Sequence, residues 1–274
     1  MLTRLSPIEF VRPATAGRTR PSVIVCERPA GEPVEVIAKF SAGCDQGVTN
    51  LAREAIAACL AGDLGLPVPE PFLIDVPAQW ADLVRDPERH AIIRSSAPVA
   101  FGSRHITGQY VAWTRGHRIP DAMLATAAAT FVFDAITGNP DRRTENPNCL
   151  VKGDEIRIFD HEMAFTQSLV LGWRPPWTPG GLKHLERRGS HIFREQLHRR
   201  SIDFGPIRRA WLALSDRRVA AYGQALPAEW AAADAAVRQA LAQIREGRDE
   251  IDGCLAEVKR VLECRTAGPT ATRS

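Results

Sequence analysis

Strand-type and helix-type patterns segregate along this chain instead of alternating, and that segregation constrains the fold more than any other feature. Residues 8–11 are a short apolar piece, and 23–26 and 34–40 are β-branched runs split by the turn-forming Pro29-Ala30-Gly31. Leu51, Ala55, Ile56, Cys59 and Leu60 then recur at helix spacing within 49–63, before Gly65 and the prolines at 67, 69 and 71 stop the helix. Residues 72–76 read as a strand, and 91–93 and 105–111 as two more. A second helix starts at Asp121, read as its N-cap, and ends at Gly138-Asn139-Pro140. A loop over 139–147 leads to a hairpin, 149–151 and 156–159, around Lys152-Gly153-Asp154. Beyond residue 167 the pattern is mostly helical, with helices over 183–199, 206–214, 227–247 and 249–263. The expected class is α+β: a strand-rich N-terminal lobe (1–115), a mostly helical C-terminal lobe (116–265) and a disordered tail (266–274). A cleft between such lobes suits a small molecule.

Composition narrows the partners. The 274 residues carry 35 basic and 32 acidic side chains, a balance too even to demand a nucleic acid. Only four of the basic residues are lysines (Lys39, Lys152, Lys183, Lys259), so a lysine inside an apolar strand, as Lys39 is, stands out. The six cysteines show neither CxxC nor zinc-ligand spacing and read as buried reduced thiols. Arg4, Glu9 and Arg12 interrupt any signal-peptide core, and the most apolar stretch, 122–133, is too short to span a bilayer. A soluble cytoplasmic protein with no membrane partner is the expectation.

Two constellations carry chemistry. Asp141 and Asn146 lie five residues apart on a loop leaving a helix, and Asp160 closes the second hairpin strand. Two carboxylates and an amide delivered to one mouth suit phosphoryl transfer, in which one carboxylate positions a hydroxyl while the amide and the second carboxylate hold Mg²⁺. Read singly, Asn139-Pro140-Asp141-Arg142 is an ordinary turn-forming loop. Upstream, Val36-Ile37-Ala38-Lys39 ends an apolar strand, and Glu54 lies fifteen residues later in the next helix. A strand lysine braced by a helix glutamate serves ATP phosphates; the alternative is a snorkelling lysine and one solvated charge.

In order and spacing the chain resembles the HipA-like bacterial kinases, within the broad protein-kinase and phosphoinositide-kinase-like group. The resemblance rests on Gly17-Arg18-Thr19-Arg20-Pro21, 34–40, 64–69, Phe101-Gly102-Ser103-Arg104, Gly138-Asn139-Pro140-Asp141 with Asn146, and Ile158-Phe159-Asp160-His161. It implies a bilobed kinase-like fold and an ATP- and Mg²⁺-dependent kinase acting on a Ser/Thr hydroxyl of a protein. Lys39 would contact ATP phosphates and Glu54 would hold Lys39. Asp141 would be the catalytic base, and Asn146 and Asp160 would bind the metal. Asn139 would brace the catalytic loop. The 14–21 loop would cover the phosphates, with Arg18 or Arg20 compensating for its single Gly17. His161 would orient Asp160, and the adenine hinge would fall within 101–115. The departures are His161-Glu162 after Asp160, where protein kinases carry Phe-Gly, and Arg143, where related kinases often have His. The resemblance also suggests a toxin–antitoxin or growth-control setting with an antitoxin or regulatory partner.

The rival readings are a small-molecule phosphotransferase of antibiotic type and a non-catalytic pseudokinase-like module binding protein or RNA. Residues 183–218 hold ten Lys/Arg against four acids. That stretch reads as a solvated helix face or, alternatively, as a patch for an acidic protein or weakly for RNA.

Overall fold

The computed structural model describes residues 2–15, 17–166 and 172–264. The proposed tail at 266–274 therefore lies outside the described residues. The N-terminal region is a closed barrel of five strands in the order β1-β2-β3-β5-β4: β1 (Thr3–Pro13), β2 (Ser22–Glu27), β3 (Val34–Lys39), β4 (Pro71–Asp75) and β5 (Val99–Arg104). All neighbours are antiparallel except β1 and β4, which pair in parallel through Thr3–Phe72 and Leu5–Ile74 and so close the barrel. Alternation along β3 sends Val36 and Ala38 into the barrel core with Ile24, Phe72 and Ile74. Gly102 on β5 has no side chain because a Cβ there would come within 2.7 Å of Ile74 Cδ1.

Helix α1 (Val48–Asp63) packs its Leu51, Ala52 and Ala55 against Leu73, Val99 and Phe101 on the outside of the barrel. Short helices α2 (Ala78–Ala81) and α3 (Pro87–Arg94) cover one end through Trp80 and Ile93. The second sheet is β6 (Val111–Ala112), β7 (Cys149–Lys152) and β8 (Glu155–Ile158), the last two forming the expected hairpin. The helical region consists of α4 (Asp121–Thr137), α5 (Arg194–Leu197), α6 (Gly205–Leu212), α7 (Asp216–Gln224), α8 (Asp234–Asp249) and α9 (Ile251–Glu263). Phe131, Phe133, Trp211, Ile244 and Val258 form its core. Trp230 seals the junction: its Nε1 donates to Val99 O at 3.0 Å, and Ala233 packs beside it.

Several expectations are corrected. The piece at 8–11 belongs to the longer β1, whose bulges and exposed Ile8 and Val11 disrupt simple alternation. Residues 91–93 are the end of α3, not a strand: Asp86 caps that helix by accepting from Arg89 N at 2.9 Å, and Pro87 is its first residue. Only Val111 of 105–111 is in a strand. Asp121 is the first residue of α4, with Pro120 at the N-cap. A continuous helix over 183–199 does not form, because Gly189 adopts φ +80° and separates the 3-10 turn Lys183–Glu186 from α5. All six cysteines are free. No described helix is long and apolar enough to cross a membrane.

Candidate active site

Lys39 is the last residue of β3, its register set by the pair with Phe101 on β5. It is buried, and its ammonium meets three carboxylates: Glu54 from α1 at 3.1 Å, Asp160 at 2.7 Å and Glu162 at 3.1 Å. Burial alone would lower the Lys39 pKa, but Asp160, Glu54 and Glu162 together hold it well above its ordinary value. Glu54 also accepts from the backbone N–H of His161 at 2.7 Å, which ties α1 to the segment after β8. Burial, reinforced by the neighbouring carboxylates, pushes Glu54 up to about 7 against the pull of Lys39. Burial raises Glu162 likewise, with Asp160 and Asp141 adding repulsion. Asp160 is held below the usual carboxylate range, Lys39 more than offsetting its burial. Asp160 adopts φ +59°, a left-handed conformation rare for a residue with a Cβ and common where function over-determines the backbone.

Asp141 sits on the loop after α4. Its Oδ2 accepts from Asn146 Nδ2 at 2.7 Å and Asn148 Nδ2 at 3.2 Å, and its backbone N–H donates to Asn139 Oδ1 at 3.1 Å. Asn146 thus points its amide nitrogen at Asp141, leaving Oδ1 without a hydrogen bond among the described residues.

A scan of family models matches the HipA-like kinases over residues 8–259. The chain belongs to the HipA-like kinase family. No curated protein sequence matches it. Among solved structures, the proinflammatory kinase CtkA of Helicobacter pylori is similar in fold, with a TM-score of 0.53 at 12% identity, over 96% of this chain and 100% of that one.

In this HipA-like kinase the catalytic-type loop hangs on a buried ionic frame that the sequence reading missed. Asp134, inside α4, accepts from Arg142 Nε at 2.7 Å, Asn139 Nδ2 at 2.9 Å and His191 Nε2 at 3.0 Å. Arg142 is wholly buried and also donates to the carbonyls of Asn148 and Phe159, so one guanidinium ties the loop to both strands of the hairpin. Burial would raise Asp134, but Arg142 and His191 hold it well below the usual carboxylate range. The sequence signal for this frame was a lone aspartate ending an apolar helical stretch.

Two sequence-level roles change. His161 does not bond Asp160; its Nδ1 accepts from Arg142 at 3.0 Å, while Asp160 accepts from Lys39. Arg18 is paired with Asp45, and Arg20 with Glu88 at 2.6 Å, so the 14–21 loop is tethered by its own arginines and neither joins the Lys39 cluster. Gly17, at φ +123°, is the turn residue of that loop. Glu162, met in the sequence only as part of the His161-Glu162 departure after Asp160 and given no role there, is a site residue. Its oxygen lies within 4.8 Å of those of Glu54 and Asp160.

His161 gives a pH signature. A guanidinium only donates, so Nδ1 is the acceptor and the neutral ring carries its proton on Nε2, which is buried without a partner. Burial, with Arg142 beside it, pushes His161 down to about 3. Between about pH 6.5 and that value the unfolded chain binds a proton that the folded chain refuses. Stability from neutral His161 is therefore complete above about pH 6.5 and is lost on acidification, by up to about 1.4 kcal/mol per pH unit. His161→Gln keeps an acceptor for Arg142 and removes the titration. Its stability relative to wild type should rise between about pH 6.5 and about pH 4.5 in urea denaturation. Parallel pH profiles for the two proteins would contradict a buried neutral His161.

Proposed function

We propose that this protein is an ATP- and Mg²⁺-dependent kinase that phosphorylates a Ser or Thr hydroxyl of a protein, in a cleft between lobes that meet near residue 115. The observation that carries the reading is the single ammonium of Lys39 facing Glu54, Asp160 and Glu162, with Asp141 near enough to repel Glu162. Three carboxylates around one ammonium form an oxygen donor set that fits Mg²⁺, to which Asn146, held by Asp141, would add its amide oxygen. Bound Mg-ATP supplies the electrophilic phosphorus and a charge-neutralised leaving group.

The chain's own residues do the rest. Lys39 leaves part of its carboxylate cluster to hold phosphate oxygens, and Glu54, anchored by the His161 N–H, keeps the ammonium aimed. Asp160 and Asn146 supply metal ligands. Asp141 orients the acceptor hydroxyl and takes its proton as the new phosphoester forms and the bond to ADP breaks. Asn139 fixes the Asp141 backbone. The tethered 14–21 loop, with Gly17, Arg18 and Arg20, lies over the phosphates. Catalysis is then positioning and charge neutralisation more than covalent chemistry. A growth-control role with an antitoxin-like protein partner rests on family membership alone.

The test is phosphate transfer from γ-labelled ATP in the presence of Mg²⁺, using host lysate as acceptor and mass spectrometry as readout. The expected result is magnesium-dependent phosphoserine or phosphothreonine. Full-length folded protein that neither binds Mg-ATP nor labels any acceptor would refute the reading.

A further inference from the structure

The basic stretch 183–218 does not behave as one patch. Arg194 is buried, while Arg200 pairs with Asp121, Arg208 with Asp252 and Arg218 with Asp63. Those charges serve to hold elements together. Lys183, Arg187, Arg188, Arg199, Arg209 and Arg217 are exposed with no acidic partner among the described residues, and of these Arg187 and Arg188 sit on the turn that docks against the loop carrying Asp141.

Their location is fixed by backbone contacts. The turn they occupy closes with Ser190 N and Oγ donating to the Arg187 carbonyl at 3.2 and 2.7 Å. Gly189 O then accepts from Thr144 N at 3.2 Å, and Ile192 N donates to Arg142 O at 3.1 Å. Gly189 approaches so closely that a Cβ there would lie 3.2 Å from Thr144 Oγ1. The turn is therefore docked on the loop that carries Asp141. That loop presents a third exposed arginine without an acidic partner among the described residues, Arg143.

The acids that could neutralise this group are engaged elsewhere. Glu145 pairs with Arg115 at 2.9 Å and Glu186 with Arg260 at 2.6 Å, while Glu195 accepts from Gly189 N at 2.9 Å. Three guanidiniums are thus held at the edge of the catalytic loop with their charge directed to solvent.

We propose that Arg143, Arg187 and Arg188 form an anion-recognition edge that selects protein acceptors whose Ser or Thr is flanked by Asp or Glu. The proposal rests on the kinase reading above and adds the substrate class to it. Guanidinium forks match carboxylates in geometry, and charge complementarity at a rim sets specificity and encounter rate. RNA fits less well. A nucleic-acid track also needs exposed aromatic stacking faces beside its cations, whereas the nearby Trp113 is buried.

The experiment compares three serine peptides of equal length, flanked by glutamate, by alanine or by lysine. Two readouts are used: kcat/KM for phosphorylation, and fluorescence-anisotropy binding without ATP. The acidic peptide should exceed the alanine peptide by about tenfold in both, with the lysine peptide weakest and the preference shrinking as salt rises. Arg187→Glu combined with Arg188→Glu, checked for an unchanged melting temperature, should reverse the order. Phosphorylation indifferent to flanking charge would overturn the proposal and leave the kinase reading standing. A preference that survives the double reversal would also overturn it. Charge-dependent peptide binding with no phosphate transfer would support the edge and count against the kinase reading. An RNA oligonucleotide that outcompetes the acidic peptide at physiological salt would assign the edge to RNA instead.

Discussion

Replacing Asp141 by asparagine is expected to lower phosphate transfer by about a thousandfold, within the range that general-base positioning supplies. The fold should survive. The Asp141 oxygen that matters structurally accepts from Asn146 and Asn148, and an asparagine carbonyl at the same place still accepts. The loss should appear in kcat with little change in the KM for ATP, because the proposed mechanism has Asp141 act on the hydroxyl and not on the nucleotide. Single-turnover phosphorylation with a thermal-melt control checks both points. A variant of wild-type melting temperature that keeps more than a tenth of the activity would remove Asp141 from the chemistry.

The second large effect is on stability. Asp134→Ala should cost about 3–5 kcal/mol, the range for breaking a buried ion pair from one side. The reason is what stays behind: the Arg142 guanidinium, with no exposure to water, loses its carboxylate, and His191 and Asn139 lose their acceptor at the same time. Asn139 is what holds the Asp141 backbone, so residual activity should fall by more than the unfolded fraction explains. Urea denaturation with activity normalised to folded protein separates the two effects. A stability loss under about 1 kcal/mol would mean that the frame is dispensable. Asp134→Ala together with Arg142→Met should recover part of the loss by removing the stranded charge, though the carbonyls of Asn148 and Phe159 would still lack a donor.

What could be read from the sequence, and what could not, follows from the range of the interactions involved. Lys39 and Glu54 were legible because a charge inside an apolar strand and another on the next helix are local oddities, and the structure joins them at 3.1 Å. Asp160 was legible as an aspartate closing a hairpin. Glu162 was not, since its meaning depends on reaching an ammonium 123 residues away. The Asp134 frame was hidden for the same reason: His191, one of its members, lies 57 residues downstream. Among the elements, α3 carried its own start signal in Asp86-Pro87-Glu88, but the β-branched pair that follows favoured a strand reading. β5 escaped because Gly102 breaks its apolar pattern, and the need for that glycine exists only once Ile74 is packed across from it. The continuous basic helix expected over 183–199 failed at Gly189, whose positive φ serves its contact with Thr144.

The seal made by Trp230 bears on how the protein is born. Val99 and Trp230 are 131 residues apart, so at ribosomal rates of about 5–20 residues per second the barrel and α1 wait roughly ten seconds for their cover. During that interval Leu51, Ala52 and Ala55 have the barrel on one side but lack Trp230 and Ala233 on the other. A nascent chain stopped short of that tryptophan already contains every residue assigned to the chemistry, yet lacks the packing that covers the helix carrying Glu54. Synthesis order therefore leaves the outer face of α1 uncovered until residues 230–233 have been made.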